Sequence, residues 1–387
     1  MTGLEQLCAT REIVITCGSG GVGKTTSAAA LGAYAAARLG GKVLVLTVDP
    51  AKRLATALGL EQFGNIETRV PGELLVDAGL ESGGELWVAM LDTKQSWDDL
   101  VRSNAPDATT RDAILANPLY RNITGRFVQS HDYIAMERLY EIHQSGKYDL
   151  IIVDTPPSRN AIDFLDAPER MADFVSSNLL RWLITPSRSR LVTAASRPFT
   201  TIADRILGAQ FLSDITEFFV LFQTMYDGFA ERAEAVGRTL SDRRTSFVVV
   251  TTLEEGPVQD ARFFLTALAD RNLHCGAVVL NKALPSWCAD PGAAVTASRM
   301  TAESPGLADE LVSAAAGSLP GLTDSGQIAR VLRELGQSYS DYRVVAIRES
   351  DQAESLAKLV ELVVTSPHLD RDVSDLAGLV ALGQSLW

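Results

Sequence analysis

Gly18-Ser19-Gly20-Gly21-Val22-Gly23-Lys24-Thr25 is a run in which every residue type has a chemical use. Its glycines let consecutive backbone N–H groups converge on an anion, and a helix starting behind them adds the positive end of its dipole. Lys24 is placed to reach the β- and γ-oxygens of a nucleotide, and Thr25 offers a hydroxyl to Mg²⁺. The run matches G-x-x-x-x-G-K-[ST], with Thr26 next in the helix start. The bland reading is a glycine-rich turn between strand and helix that holds nothing.

Phosphoryl transfer also needs an acid behind the metal. Asp154 ends the apolar run DLIIVD (149–154) and is the candidate for that role; its alternative is a helix cap or a turn acid before Pro156 and Pro157. Asp49 ends the run KVLVLTV (42–48) in the same way, either orienting an attacking water or turning the chain before Pro50. Asn281-Lys282-Ala283-Leu284 bears on the base. A guanine reader of the N-K-x-D kind needs a carboxylate at the last position to accept from guanine N1 and N2, and Leu284 has none. Asn281 still suits an adenine amino group, or else caps a turn at a strand end, so ATP is expected over GTP.

These residues need elements to hold them. Short β-branched and aliphatic runs recur at 12–17, 42–48, 86–91, 149–154, 246–252, 277–281 and 343–347, without the polar alternation of a half-exposed sheet. The spacing predicts strands buried on both faces: an α/β chain with a doubly wound, mainly parallel sheet and an inserted helical subdomain. The first βαβ unit reads as strand 12–17, the glycine-rich turn, an Ala-rich helix over 24–39, a stop at Gly40 and Gly41, and strand 42–48. The expected organisation is a core segment 1–94, a helical insertion 95–145, a core strand with its following loop 146–160, and a second helical insertion 161–242. A core segment 243–365 with adenine-side loops and a short tail 366–387 complete it. Within 174–203, four arginines (Arg181, Arg188, Arg190, Arg197) stand without an acid, either a solvated face or a surface for anionic lipid or an acidic partner. Phe211, Ile215, Phe218, Phe219, Phe222, Met225, Tyr226 and Phe229 follow at helical spacing, as core or as a client groove. The stretch 286–340 offers one convincing helix, near 327–335.

Composition narrows the function. The 387 residues carry 46% hydrophobic and 21% charged side chains, which fits a soluble globular chain. A formal net charge of −13 repels phosphate backbones, so nucleic acid is not an expected partner. The start of the chain has no secretory pattern and no long apolar run occurs, so a cytoplasmic location is expected. Four cysteines without C-x-x-C spacing and four scattered histidines predict reduced thiols and no metal cluster.

Taken in order, the phosphate loop, DPAKRL (49–54), VDTPPS (153–158) and VVLNK (278–282) resemble the arsenical-pump (ArsA) and tail-anchored-protein-targeting ATPases, with their bacterial anion-transporting members. These are P-loop NTPases related to the MinD and ParA group, and the similarity runs over about 13–365. The resemblance implies ATP and Mg²⁺ as cofactors, and a dimer that opens and closes with the nucleotide to serve transport or targeting. It implies Asp49 at the water, Asp154 at the start of switch II, and Asn281 with an Arg348-Glu349 loop near adenine. Two departures matter. Ser19 stands where the family's loop carries a lysine that crosses to the partner's phosphates, which implies either pairing with a member that keeps the lysine or a substitute in Lys52 or Arg53. The family's cysteine-based metal sites have no counterpart in Cys275 and Cys288. The resemblance thus leaves open a homo- or heterodimer and a membrane-protein or peripheral membrane partner at the inner face. The rival readings are a nucleotide-binding regulatory subunit with little hydrolysis of its own and a phosphotransferring metabolic enzyme.

Overall fold

The computed structural model describes residues 3–48, 55, 57, 58, 60, 64–81, 83–121, 128–156, 165–170, 173, 217, 218, 220, 221, 225–315 and 323–387. Helix α1 (Gly3–Thr10) leads to β1 (Ile13–Cys17), α2 (Lys24–Leu39) and β2 (Gly41–Thr47). Next come β3 (Thr68–Arg69), α3 (Gly72–Asp77) and β4 (Gly84–Met90), then α4 (Thr93–Asn104), α5 (Ala108–Ala116) and α6 (Val128–Gln144) before β5 (Leu150–Asp154). The second half holds α7 (Tyr226–Ser241), β6 (Thr245–Thr251), α8 (Glu255–Asp270), β7 (Cys275–Ala283), a 3₁₀ turn (Ser286–Ala289), α9 (Pro291–Ala302) and α10 (Ser304–Ala315). It closes with α11 (Ser325–Ala357), β8 (Val363–Pro367) and α12 (Leu376–Leu386).

The strands form one sheet in the order β3-β4-β2-β5-β1-β6-β7-β8, with every described pairing parallel except the antiparallel edge pair β3–β4. Because successive side chains point to opposite faces, the unbroken apolar runs feed two cores. Ile13, Ile15, Leu44, Leu46, Ile151 and Val153 pack under α4, α6, α7 and α8, whereas Val14, Val43, Val45 and Ile152 pack under α1, α2 and α12. The α/β expectation therefore holds, with helical layers on both faces.

Helix α2 is buried from Ser27 to Ala37, which explains its alanines: it is pressed between the sheet and α12. Tyr34 meets Trp387 at 5.8 Å between ring centroids. The expected tail after 366 is thus a packed helix, its Leu379, Leu382 and Leu386 all buried.

Two further expectations change. The run 343–347, expected as a strand, lies inside the 33-residue helix α11. Asp324 caps that helix by accepting from the Gln327 N–H at 3.0 Å, and no glycine or proline interrupts it after Gly336. Ala329, Leu332, Ala346 and Leu356 are buried while Val344 and Val345 face out, so tertiary packing overrides β-branched preference. The place beside β7 is taken instead by β8. The stretch 286–340, expected to offer one convincing helix near 327–335, carries the 3₁₀ turn, α9, α10 and the first half of α11.

Of the aromatic stripe, Phe218, Met225 and Phe229 are core. Phe229 closes a ring triad with Trp97 and Tyr133 at centroid distances of 6.0 to 6.2 Å. Phe211, Ile215, Phe219 and Phe222 lie outside the described residues, as does the basic stretch 174–203.

Candidate functional site

The sheet is parallel around β1, so its strand ends converge on one edge, the position at which α/β proteins take up ligands. Four of those ends meet there. β1 runs into the glycine loop and α2, β2 and β5 end on either side of one another at Thr47 and Asp154, and β7 ends beyond β6 at Asn281–Ala283.

The loop is held tightly against the sheet. A Cβ on Gly18 would stand 2.0 Å from the Val250 carbonyl oxygen, and one on Gly23 would stand 2.3 Å from Asn281 Nδ2, so neither position admits another residue. Gly23 caps α2 with φ 95°. Lys24 is buried, and its ammonium donates to the Ser19 carbonyl at 3.0 Å, folding the side chain back over the loop. The Ser19 hydroxyl has no hydrogen-bond partner among the described residues.

Behind the loop stands Asp154, fully buried. Its Oδ2 accepts from the Thr25 hydroxyl at 2.6 Å and from the Thr47 hydroxyl at 3.0 Å. Register explains the meeting, since Asp154 is paired with Thr16 on β1 and with Thr47 on β2. Thr47 gave no signal in the sequence because its role depends on that pairing. The donor set suits Mg²⁺: a hard cation takes oxygen ligands, and a hydroxyl whose proton is taken up by a carboxylate keeps its lone pairs for the metal.

On the base side, Asn281 Nδ2 donates to the Val22 carbonyl at 2.7 Å. Its amide N–H is thus engaged with the loop, leaving Oδ1 as the atom that can accept from a base. Lys282 donates to the Gly21 carbonyl at 3.4 Å. Arg348 and Glu349, expected in a loop, lie in α11, where the helical run described above carries them. Glu349 Oε2 accepts from the Leu284 N–H at 2.8 Å, so that carboxylate positions the segment after β7, while Arg348 is exposed. The loop after β8 shares this edge, the His368 N–H donating to the Ala283 carbonyl at 2.9 Å; the sequence reading missed it.

Asp49 lies outside the described residues, as do Lys52 and Arg53. β2 ends beside Asp154, the Val48 N–H donating to the Asp154 carbonyl at 3.1 Å. Thr26 follows Thr25 in α2.

Thiol chemistry adds nothing here. Burial pushes the Cys8 and Cys275 thiols up to about 12 and raises Cys17 well above the ordinary range. Among the described residues, no three histidine, cysteine or acidic side chains are grouped to hold a metal. A cavity of about 550 Å³ between α9 and α11, walled in part by Trp287, Met300, Leu335, Tyr339 and Tyr342, includes no residue of the loop.

Residues 11–306 match the family model described as anion-transporting ATPase. An uncharacterized protein of Streptomyces coelicolor is 31% identical over 290 residues, covering 73% of this chain and 66% of its own. The ATPase ASNA1 homolog of Entamoeba dispar is 25% identical over 71% of this chain and 77% of its own. The ATPase GET3 of Lachancea thermotolerans is 28% identical over 43% and 47% respectively. The chain spans just under two thirds of the length of the Streptomyces relative.

Proposed function

The chain belongs to the anion-transporting ATPase family, and from that premise we propose that it is an Mg²⁺-dependent ATPase whose binding and hydrolysis of ATP drive a conformational cycle with a paired ATPase chain. The observation that carries this reading is the 2.6 Å bond from the Thr25 hydroxyl, at the start of α2, to the buried Asp154. A glycine loop alone binds anions; one whose threonine is tied to a buried carboxylate is also equipped for a metal.

In this reading, residues 18–26 hold the triphosphate through N–H groups and Lys24, whose charge stabilises the transferred group. Thr25 and Asp154 would hold Mg²⁺, which would supply positive charge to offset that of the phosphates. Asp154 keeps the Thr25 hydroxyl oriented with its proton turned inward. Asp49 orients the attacking water. Asn281 accepts from adenine, and Arg348 and Glu349 support that side. Leu284 still offers no carboxylate to guanine. Titration of the full chain with ATP is expected to saturate, with GTP competing weakly and Lys24→Ala not binding; absence of ATP binding would overturn the reading.

The pairing rests on Ser19, too short to reach a neighbour's phosphates. Ser19→Lys is expected to raise turnover of the isolated chain by about ten-fold or more, one transition-state charge contact. No gain in rate would sink the pairing. The same residue favours a second reading, a regulatory subunit that binds nucleotide and hydrolyses little. The cycle is placed in the cytoplasm, at the inner face of the membrane when a membrane partner is engaged. Among the described residues no helix is long and apolar enough to cross a membrane.

A further inference from the structure

Lys282 is in the wrong conformation for a lysine. Two non-glycine residues among those described have positive φ: Asn272 at 55°, which follows α8 in a turn that asparagine tolerates, and Lys282 at 59°, inside β7. The cause is visible in the pairing of β7 with β8. Leu280 is opposite Thr365 and Ala283 is opposite Pro367, so β7 carries one residue more than its partner between those points. A bulge of this kind re-aims a side chain, and here it turns Lys282 to the phosphate loop, 3.4 Å from the Gly21 carbonyl.

Its neighbour does the same one residue on. Asn281 Nδ2 donates to the Val22 carbonyl at 2.7 Å, and a Cβ at position 23, where φ is 95°, would stand 2.3 Å from that nitrogen. Two consecutive residues at the end of β7 therefore hold two consecutive carbonyls of the loop. In a trans peptide the C=O and the following N–H point in opposite directions. Fixing the Gly21 carbonyl toward β7 turns the Val22 N–H away from β7, and fixing the Val22 carbonyl does the same to the Gly23 N–H. An anion-binding hollow needs such successive N–H groups held in one direction before the anion arrives.

We propose that Lys282 is a positioning residue of the phosphate loop, holding the Gly21 carbonyl beside the one held by Asn281 so that the Val22 and Gly23 N–H groups are set to receive the phosphates. Its ammonium also adds a positive charge to a loop that already carries that of Lys24, in a chain whose net charge is −13. The proposal rests on the nucleotide site described above. It extends that site to a residue whose side chain acts through the loop backbone.

The test is equilibrium binding of ATP and, separately, of inorganic tripolyphosphate, each with Mg²⁺, to the full chain and to Lys282→Met, Lys282→Gly and Lys282→Arg. Lys282→Gly removes the ammonium while relaxing the backbone, so a strained or unfolded bulge cannot explain its result. Met and Gly are each expected to weaken both ligands about ten-fold, the scale of one hydrogen bond to a charged group. Lys282→Arg is expected to recover most of that loss, with melting temperatures unchanged or raised for Gly. Wild-type affinity in Lys282→Gly, or a loss confined to ATP and absent for tripolyphosphate, would overturn the proposal. If the unaltered chain binds neither ligand, the nucleotide site itself fails, a result distinct from equal binding by chain and variants.

Discussion

Asp154→Asn is expected to leave the chain folded and able to bind ATP while lowering Mg²⁺-dependent turnover by about a hundred-fold or more, the scale of removing one preorganised charge from a phosphoryl-transfer site. Asp154 is fully buried at the sheet's centre, where one oxygen receives the Thr25 and Thr47 hydroxyls. Asparagine keeps the shape and one carbonyl oxygen, and both hydroxyls can rotate to accept from its amide, so no polar group is stranded. What disappears is the negative charge behind Thr25. Asp154→Ala is the poorer variant because it orphans both hydroxyls and adds a cavity. Phosphate release and ATP affinity measured on the same sample separate binding from turnover. Turnover within a few-fold of the parent chain would remove Asp154 from the metal's support.

Arg232→Ala is expected to destabilise the chain by about 3–5 kcal/mol, the range for leaving one half of a buried ion pair alone. Arg232 Nε lies 2.8 Å from Glu137 Oε1, Arg232 Nη1 donates to Asn104 Oδ1 at 2.6 Å, and the Tyr133 hydroxyl donates to Glu137 Oε2 at 2.8 Å. Glu137 is 1% exposed, so these bonds tie α4, α6 and α7 around a carboxylate that water does not reach. Burial already raises the Glu137 carboxyl above the ordinary range, against the lowering pull of Tyr133 and Arg232. Without Arg232 it rises further. A carboxyl raised in the folded state contributes stability below its unfolded value and loses it as pH rises through the folded value. The deficit is therefore expected to shrink between about pH 7.5 and about pH 5, and to be partly recovered by adding Glu137→Gln. Denaturant unfolding of the single and double variants at both values checks this. A loss under about 1 kcal/mol, unchanged with pH, would mean the pair behaves like a surface contact.

The legible part of this molecule is the part built from local signals. Gly18 to Thr25 announce their own conformation, and Asp154 is marked by the apolar strand it ends, so the two could be paired before the 2.6 Å bond between them was seen. Thr47 and the Asn281–Val22 bond were not legible, because strand register and a bulge put them in place. The run 343–347 misled for the opposite reason: its valines carry a strand's composition, but they lie in a helix that buries Ala346 and leaves Val344 and Val345 exposed. With that helix, Arg348 and Glu349 moved out of a loop, and Glu349 became a support for the Leu284 backbone. The stretch after 366 read only as a short tail because a short apolar helix is informative only with its partner, and that partner is α2.

Hydrolysis is tested most directly by phosphate release from ATP by the purified full chain, alone, with and without Mg²⁺, with Lys24→Ala as the blank and the mass in solution recorded on the same sample. Release above the blank that stops when Mg²⁺ is chelated is the expected result. ATP bound by the chain at a release rate equal to that of Lys24→Ala would contradict it, and would make this protein the nucleotide-binding half of a site whose missing charge belongs to another chain.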